Sequence, residues 1–361
     1  MKSLLQTPEW ASFKVSQGWQ SHELKGVFVL EKKLPMGKSF LYAPEVAWDK
    51  ITSHPEVSAE GSPANAGSET SSEILRSVQN DSLQIFLQKL QKIAKKSRAI
   101  FFRLEILDEN NTEIISNLKQ NGFVKAFEEL QPERRQVIDI SKTEEEILSQ
   151  MKPKGRYNIK IAEKHGVKVQ KITEEGLLES VDVFYNLFRE TSENQDFSIR
   201  PKKYFHDLLF NLYGKRYADL FIATVNGTPV CGLIITYFDG VASYLYGASS
   251  KENRQVMGPY LAHWEVIREA KRRGCSQYDL LAIAPGELTT NNKQLTTDNE
   301  QESENKVVSR KSSVVSHKYT GITRFKEQFG GEKVEIVGGY DLIYQPFWYK
   351  IFKTLEKRRR N

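Results

Sequence analysis

The sequence predicts an α/β (α+β) protein built from two tandem units with mostly antiparallel strands. Two hairpin signals, Asn226-Gly227 and Asp239-Gly240, punctuate a run rich in β-branched and aromatic residues, which spells a three-stranded meander. The amphipathic run "PYLAHWEVIREAKRRG" follows it and leads into a further strand-like run, "SQYDLLAIAPG". A looser version of the same grammar fills the first half. At 361 residues the chain has room for two compact domains.

Taken in order, "GVFVLEKKLPMGKSFLYAP" reads as strand, turn, strand. Residues from about 53 to 81 are rich in Ser, Pro, Ala, Gly and Glu; they cannot bury a core and are expected to form a low-complexity insertion. "DSLQIFLQKLQKIAKKSR" places Leu83, Phe86, Leu87, Leu90, Ile93 and Ala94 on one helical face. "AIFFRLEIL" is a buried strand carrying Arg103 and Glu105. A short helix ended by Gly122 and the strand "RQVIDI" complete the half.

"TEEEILSQMKPKGRYNIKIAEKHGV" reads as a helix interrupted by Pro153, then a basic helix ended by Gly166. Two more amphipathic helices, "EEGLLESVDVFYNLFRETSE" and "KKYFHDLLFNLYG", precede the meander. Within the meander, alternation puts Tyr244 and Tyr246 on one strand face. Residues from about 286 to 316 form a second polar tract, also expected as an insertion. Gly330-Gly331 and Gly338-Gly339 are expected turns around "EKVEIV", since they lack the strand-loop-helix setting of a phosphate loop. The tail "FWYKIFKTLEKRRRN" is a basic amphipathic helix.

With 52 Lys and Arg against 46 Asp and Glu, the chain carries +6 and favours anionic partners. Lys152, Lys154, Arg156, Lys160 and Lys164 suit a phosphate-contacting helix as well as a solvated face. Cys231 and Cys275 belong to no metal or redox spacing, which points to free thiols in a reducing compartment. The six histidines are scattered, and no metal-ligand spacing, Ser-His-Asp set or Walker A loop occurs; no metal is expected. No stretch reaches the roughly 18 apolar residues of a spanning helix, and the first residues are unlike a signal peptide. A cytoplasmic protein is expected, with a possible peripheral contact at the inner membrane face.

Meander, helix, strand is the order of the acetyltransferase-like (GNAT) fold, and the chain resembles two such domains in tandem. In that fold "NRQVMGPYLAHW" stands where an acyl-CoA pyrophosphate would meet a helix N-terminus. Pro259 removes a donor there and Tyr260 fills space, which argues against coenzyme A. The blocks "EWASFK", "LPMGKSFLYAP", "RYNIKIAEKHGVKV", "IRPKKYF", "YLYGASS", "PYLAHWEVIREAKRRGCSQYDLLAI" and "YTGITRFKEQFGGEKVEIVGGYDL", in this order, resemble the FemABX family of non-ribosomal peptidyltransferases. The resemblance covers nearly the whole chain outside the two polar tracts.

It implies a compact, arm-less member with no coiled coil. The first GNAT-like domain, 1–140 plus 339–361, would bind the precursor; the second, 141–338, would take tRNA and carry the catalytic segment. The implied reaction moves an amino acid from aminoacyl-tRNA to the stem-peptide amine of a peptidoglycan precursor, either lipid II or the UDP-linked muropeptide, and builds the interpeptide bridge. Charged tRNA is already an activated ester, so no cofactor is implied, and a monomer is expected. By position, Lys14 and Arg200 look like the pair that holds the precursor's phosphates. Tyr204 and Tyr246 look like partners of the same ligand, and Arg103 is grouped with them. Glu105 sits where relatives carry an acidic residue near the substrate; it or a substrate group would accept the proton. Lys326 matches a lysine beside the reactive ester, with Phe325 positioning it. Lys154, Arg156, Lys160 and Lys164, together with the basic tail, would meet the acceptor stem or lipid head groups. Glu45, in "YAPEVAWD", departs from the pattern, which has a basic residue there. Two other readings stay open: an acyl-CoA-dependent N-acyltransferase acting on a sugar or amine, and a non-catalytic RNA- or membrane-surface-binding protein.

Overall fold

The computed structural model describes residues 2–53, 71–195, 199–284 and 321–360. The tract at 286–316 and most of that at 53–81 lie outside them. Helix α1 (Pro8–Ser16) starts on Thr7, whose Oγ1 accepts from the Trp10 amide at 3.2 Å, with Pro8 pre-set in the first turn. Strands β1 (Gln20–Leu24), β2 (Val27–Leu34) and β3 (Lys38–Val46) follow, then α2 (Trp48–Thr52), α3 (Ser71–Ser97), β4 (Ala99–Glu109), α4 (Thr112–Gln120), β5 (Phe123–Lys125) and β6 (Arg134–Asp139). Helix α3 starts at Ser71 and so takes in the end of the stretch read as an insertion.

The second half holds α5 (Glu144–Gln150), α6 (Pro153–Lys164), β7 (Lys168–Lys171), α7 (Leu177–Gln195), α8 (Lys202–Tyr213), β8 (Ala218–Val225), β9 (Thr228–Phe238), β10 (Val241–Ser249), α9 (Gly258–Arg272) and β11 (Gln277–Ala282). A helix over 321–326, here α10, leads to β12 (Glu332–Ile343) and α11 (Pro346–Arg360). Only residues 172–176 separate β7 from α7, which leaves no helical hairpin between them.

The strands form one sheet in the order β1-β2-β3-β4-β12-β6-β11-β10-β9-β8-β7, with β5 beside β12. Among the described residues only β3 with β4 and β10 with β11 run parallel. Every residue of β4 from Ala99 to Leu107 is buried, as a central strand covered on both faces requires. The meander turns behave as their sequences demand: Asn226 and Gly227 take φ of 49° and 77°, and Asp239 and Gly240 take 49° and 78°.

Strand β12 joins the two halves. Its first residues pair with β6, and from Ile336 onward it pairs with β4. The second glycine pair is therefore no turn: Gly338 sits at a register shift inside this strand, at φ 74°, where a Cβ would meet the Glu133 side chain at 2.2 Å. A bulge also corrects the expected pairing of Tyr244 with Tyr246. Opposite β9 they face Ile235 and Ile234, consecutive residues, so the pleat slips by one between them. Tyr244 turns into the core beneath α5, α6 and α9, and Tyr246 into the core that α1, α7 and α8 build on the other face.

Candidate functional site

On one side of the molecule, cations gather around aromatic rings. The Lys14 ammonium lies 4.6 Å from the Trp19 ring centroid and Lys32 lies 5.4 Å from it. Burial lowers the Lys14 pKa to about 8, and the positive charges of Arg200 and Lys32 add to the shift. Arg200, exposed at the start of α8, stands 5.4 Å over the Tyr204 ring. Tyr204 and Tyr246 share a hydrogen bond of 3.0 Å between their hydroxyls. Lys14, Arg200, Tyr204 and Tyr246, from three separate stretches of the chain, thus form one cluster, and an anion placed there would relieve the mutual repulsion of its cations.

The Trp19 ring lies 6.3 Å from that of Tyr42, whose hydroxyl donates a short bond to Glu105. The Gln131 amide gives Glu105 a second bond at 3.0 Å. Burial is the main cause that raises the Glu105 pKa to about 7; the two hydrogen bonds oppose it and the Glu45 charge adds to it. Glu45 belongs to a buried chain of charges across the seam between the halves. It accepts from Ser3 Oγ at 2.6 Å and from Arg135 Nη2, and Arg135 Nη1 reaches Asp279 Oδ2 at 3.2 Å. Both carboxylates come from irregular backbone: Glu45 has φ 46° at a register shift in β3, and Asp279 precedes one in β11.

Strands β10 and β11 pair only over Val241–Ser243 and then part. Lys326 fills the wedge between them. Its ammonium donates to the Ala282 carbonyl at 2.7 Å and lies 5.6 Å from the Tyr244 ring centroid. Burial lowers its pKa to about 8, and Asp279 supports the charged form. Phe325 packs edge-on against Tyr260 at 5.0 Å and against Phe329 at 5.3 Å. Tyr260 thus caps the start of α9 with an aromatic plug.

Arg103 shares β4 with Glu105 and its charge favours the Glu105 carboxylate, but its own hydrogen bonds go elsewhere. Asp341 takes its Nε and Nη2 at 2.7 and 2.8 Å, and Glu128 takes Nη1 at 3.1 Å. Arg156 turns inward from α6 and donates to the Leu148 and Met151 carbonyls at the end of α5. Lys154, Lys160 and Lys164 of α6 are exposed. Two surface hollows lie elsewhere. One of about 590 Å³ borders Glu144, Arg268, Lys271 and Arg272; the other, of about 550 Å³, borders Lys215, Arg216 and Arg273. Tyr42, Arg135 and Asp279 were missed in the sequence. The signal Arg135 and Asp279 leave in the sequence is a charge inside each of the strand-like runs "RRQVIDI" and "QYDLLAI".

The FemAB family model matches residues 1–228 and 226–357. The chain belongs to the FemAB family. A lipid II:glycine glycyltransferase of Staphylococcus epidermidis is 22% identical over 348 residues, covering 76% of this chain and 78% of that one. One of Staphylococcus haemolyticus is 20% identical over 438 residues, covering 98% and 91%. Among solved structures, FemX superposes with a TM-score of 0.70 at 18% identity, over 97% of this chain and 94% of that one. L-PGS from Bacillus licheniformis superposes at 0.54 with 13% identity, over 98% and 96%. This FemAB-family chain has the fold of two GNAT-like halves and is an aminoacyltransferase. Among the described residues no helix is long and apolar enough to cross a membrane.

Proposed function

We propose that this protein transfers an amino acid from aminoacyl-tRNA to the stem-peptide amine of a peptidoglycan precursor and so builds the interpeptide bridge. The observation that carries the reading is the buried track of Glu105, Glu45, Arg135, Asp279 and Lys326. It sets a carboxyl near 7 and an ammonium near 8, poised to take up and hold protons at neutral pH. The printed names of the staphylococcal relatives support a precursor of the lipid II class.

In this reading the precursor's phosphates sit among Lys14, Arg200, Tyr204 and Tyr246. The amine attacks the ester carbonyl of the charged tRNA. Glu105, as carboxylate, accepts the proton the amine loses. The Lys326 ammonium stabilises the oxyanion as the C–N bond forms. The C–O bond to the tRNA breaks and the 3′ oxygen leaves as a hydroxyl, taking up the proton. The balance needs no oxidant and no nucleotide, so we propose that no cofactor is used. Exposed Lys154, Lys160 and Lys164 would track the acceptor stem. We keep 1–140 plus 339–361 as the precursor-binding unit, 141–338 as the unit for tRNA, and a monomer as the working state.

Purified protein should move a radiolabelled amino acid from charged tRNA to the precursor, and RNase added first should abolish it. Transfer that survives RNase would overturn the reading. The acyl-CoA alternative meets two obstacles: Lys326 occupies the strand wedge and Tyr260 plugs the start of α9. Saturable acetyl-CoA binding in a calorimeter would revive it.

A further inference from the structure

We propose that helix α11 and the turn between β2 and β3 form one face that docks on an anionic bilayer, and that this docking favours the lipid-linked acceptor. The second clause rests on the function proposed above; the first does not.

The inner side of α11 is committed to the protein. Tyr349 packs edge-on to Phe101 at 5.3 Å, and Phe352 lies 5.2 Å from Phe101 and 5.6 Å from Phe40. The outer side carries Phe347, Ile351 and Leu355 at intervals of four, an apolar stripe turned away from the core. Phe347 is 68% exposed and Leu355 58%. Exposed Lys350, Lys357, Arg358 and Arg359 flank the stripe. The turn Pro35–Gly37 extends the same face, with Met36 72% exposed at φ 60°. Lys38 ties it to the helix, donating to Gln345 Oε1 at 2.6 Å and standing 5.0 Å over the Trp348 ring.

Charge and shape favour a bilayer over RNA. Phosphates alone would reward the lysines and arginines, but Ile351, Leu355 and Met36 gain from burial at the boundary between head groups and acyl chains. The face also leads to the cation cluster. Phe352 meets Phe40 at 5.6 Å, Phe40 meets Trp19 at 5.5 Å, and the Lys14 ammonium lies 4.6 Å over Trp19. One run of packed rings therefore joins the docking face to Lys14 and Lys32, the cations proposed to hold the phosphates of a lipid-linked precursor.

The test is flotation with vesicles of phosphatidylglycerol and phosphatidylcholine, against phosphatidylcholine alone. Wild type should float with the anionic vesicles and release as salt rises. Lys357→Glu and Arg358→Glu should each weaken partitioning about fivefold or more. The pair Phe347→Ser and Leu355→Ser should weaken it on the order of tenfold without changing Tm. The Phe347→Ser, Leu355→Ser pair should transfer at the wild-type rate to lipid-linked acceptor dispersed in detergent, and more slowly to the same acceptor in vesicles. Equal flotation of wild type and variants overturns the docking face. Variants that keep vesicle binding but lose tRNA binding overturn it in favour of an RNA surface. Anionic flotation lost in the variants, with no transfer to any acceptor by wild type, upholds the docking face and sinks the enzymatic reading. Full transfer in vesicles by variants that do not float upholds the docking face and the enzymatic reading but overturns the claim that docking favours the lipid-linked acceptor.

Discussion

Burial brings the Lys326 ammonium down to about 8 and the Glu105 carboxyl up to about 7; hydrogen bonds from Tyr42 and Gln131 limit the rise at Glu105, and the Asp279 charge limits the fall at Lys326. Lys326 acts as a cation below its value and Glu105 as a base above its own. The kcat/KM of transfer should therefore trace a narrow bell with apparent limbs near 7 and 8, macroscopic values of a linked set. Asp279→Asn removes the charge that supports the ammonium and should move the alkaline limb to lower pH; an unmoved limb would separate Asp279 from Lys326. Stability follows the same signs. A carboxyl whose folded pKa lies above 4.5 contributes stability that is full below that value and lost as pH rises through about 7. Glu105→Gln should thus add roughly 2 kcal/mol at pH about 8 and almost nothing at pH about 4, by urea unfolding, while transfer collapses.

At the scale of elements, the wedge depends on how α6 approaches the segment that bears Lys326. Gly155 lies where a Cβ would meet the Gln328 carbonyl oxygen at 2.4 Å. Replacing a helical glycine by alanine ordinarily stabilises by about 1 kcal/mol. Here the contact is with backbone, so the clash should win and Gly155→Ala should destabilise by about 1–3 kcal/mol. Because Gln328 follows Lys326 by two residues, transfer should fall more than stability loss explains. A stabilised, fully active variant would show that α6 and the turn at Glu327–Phe329 can part freely. Helices α5, α6 and α9 and the meander were legible in sequence because each has its own cap, glycine turn or apolar stripe. The bulges at Glu45, Tyr244 and Gly338 were not, since a one-residue slip obeys the partner strand rather than local propensity.

For the whole molecule, β12 makes the two halves one sheet, and the chain from Ser3 through Glu45 and Arg135 to Asp279 crosses the same seam. Calorimetry should show a single unfolding transition; two well-separated ones would mean the seam is weak. Arg103 serves this architecture. Asp341, fully buried, also accepts from Tyr349 of α11 at 2.6 Å, so Arg103→Ala would leave a buried carboxylate without its cation. A loss of about 3–5 kcal/mol in chemical denaturation is expected, with little change in acceptor KM. A large KM effect on a stable variant would return Arg103 to the substrate.

By itself the sequence determined the fold class and the family blocks, and only the resemblance to the family pointed to Lys14, Glu105, Arg200, Tyr204 and Lys326. Spacing, capping and turn chemistry are short-range and survive in a string of letters. What only the tertiary structure decided is which charges meet. Glu45, Arg135 and Asp279 lie on β3, β6 and β11, far apart in the chain, and are paired by sheet order. The shifts at Glu105 and Lys326 arise from desolvation, a property of everything packed around a group and of no residue in its own segment.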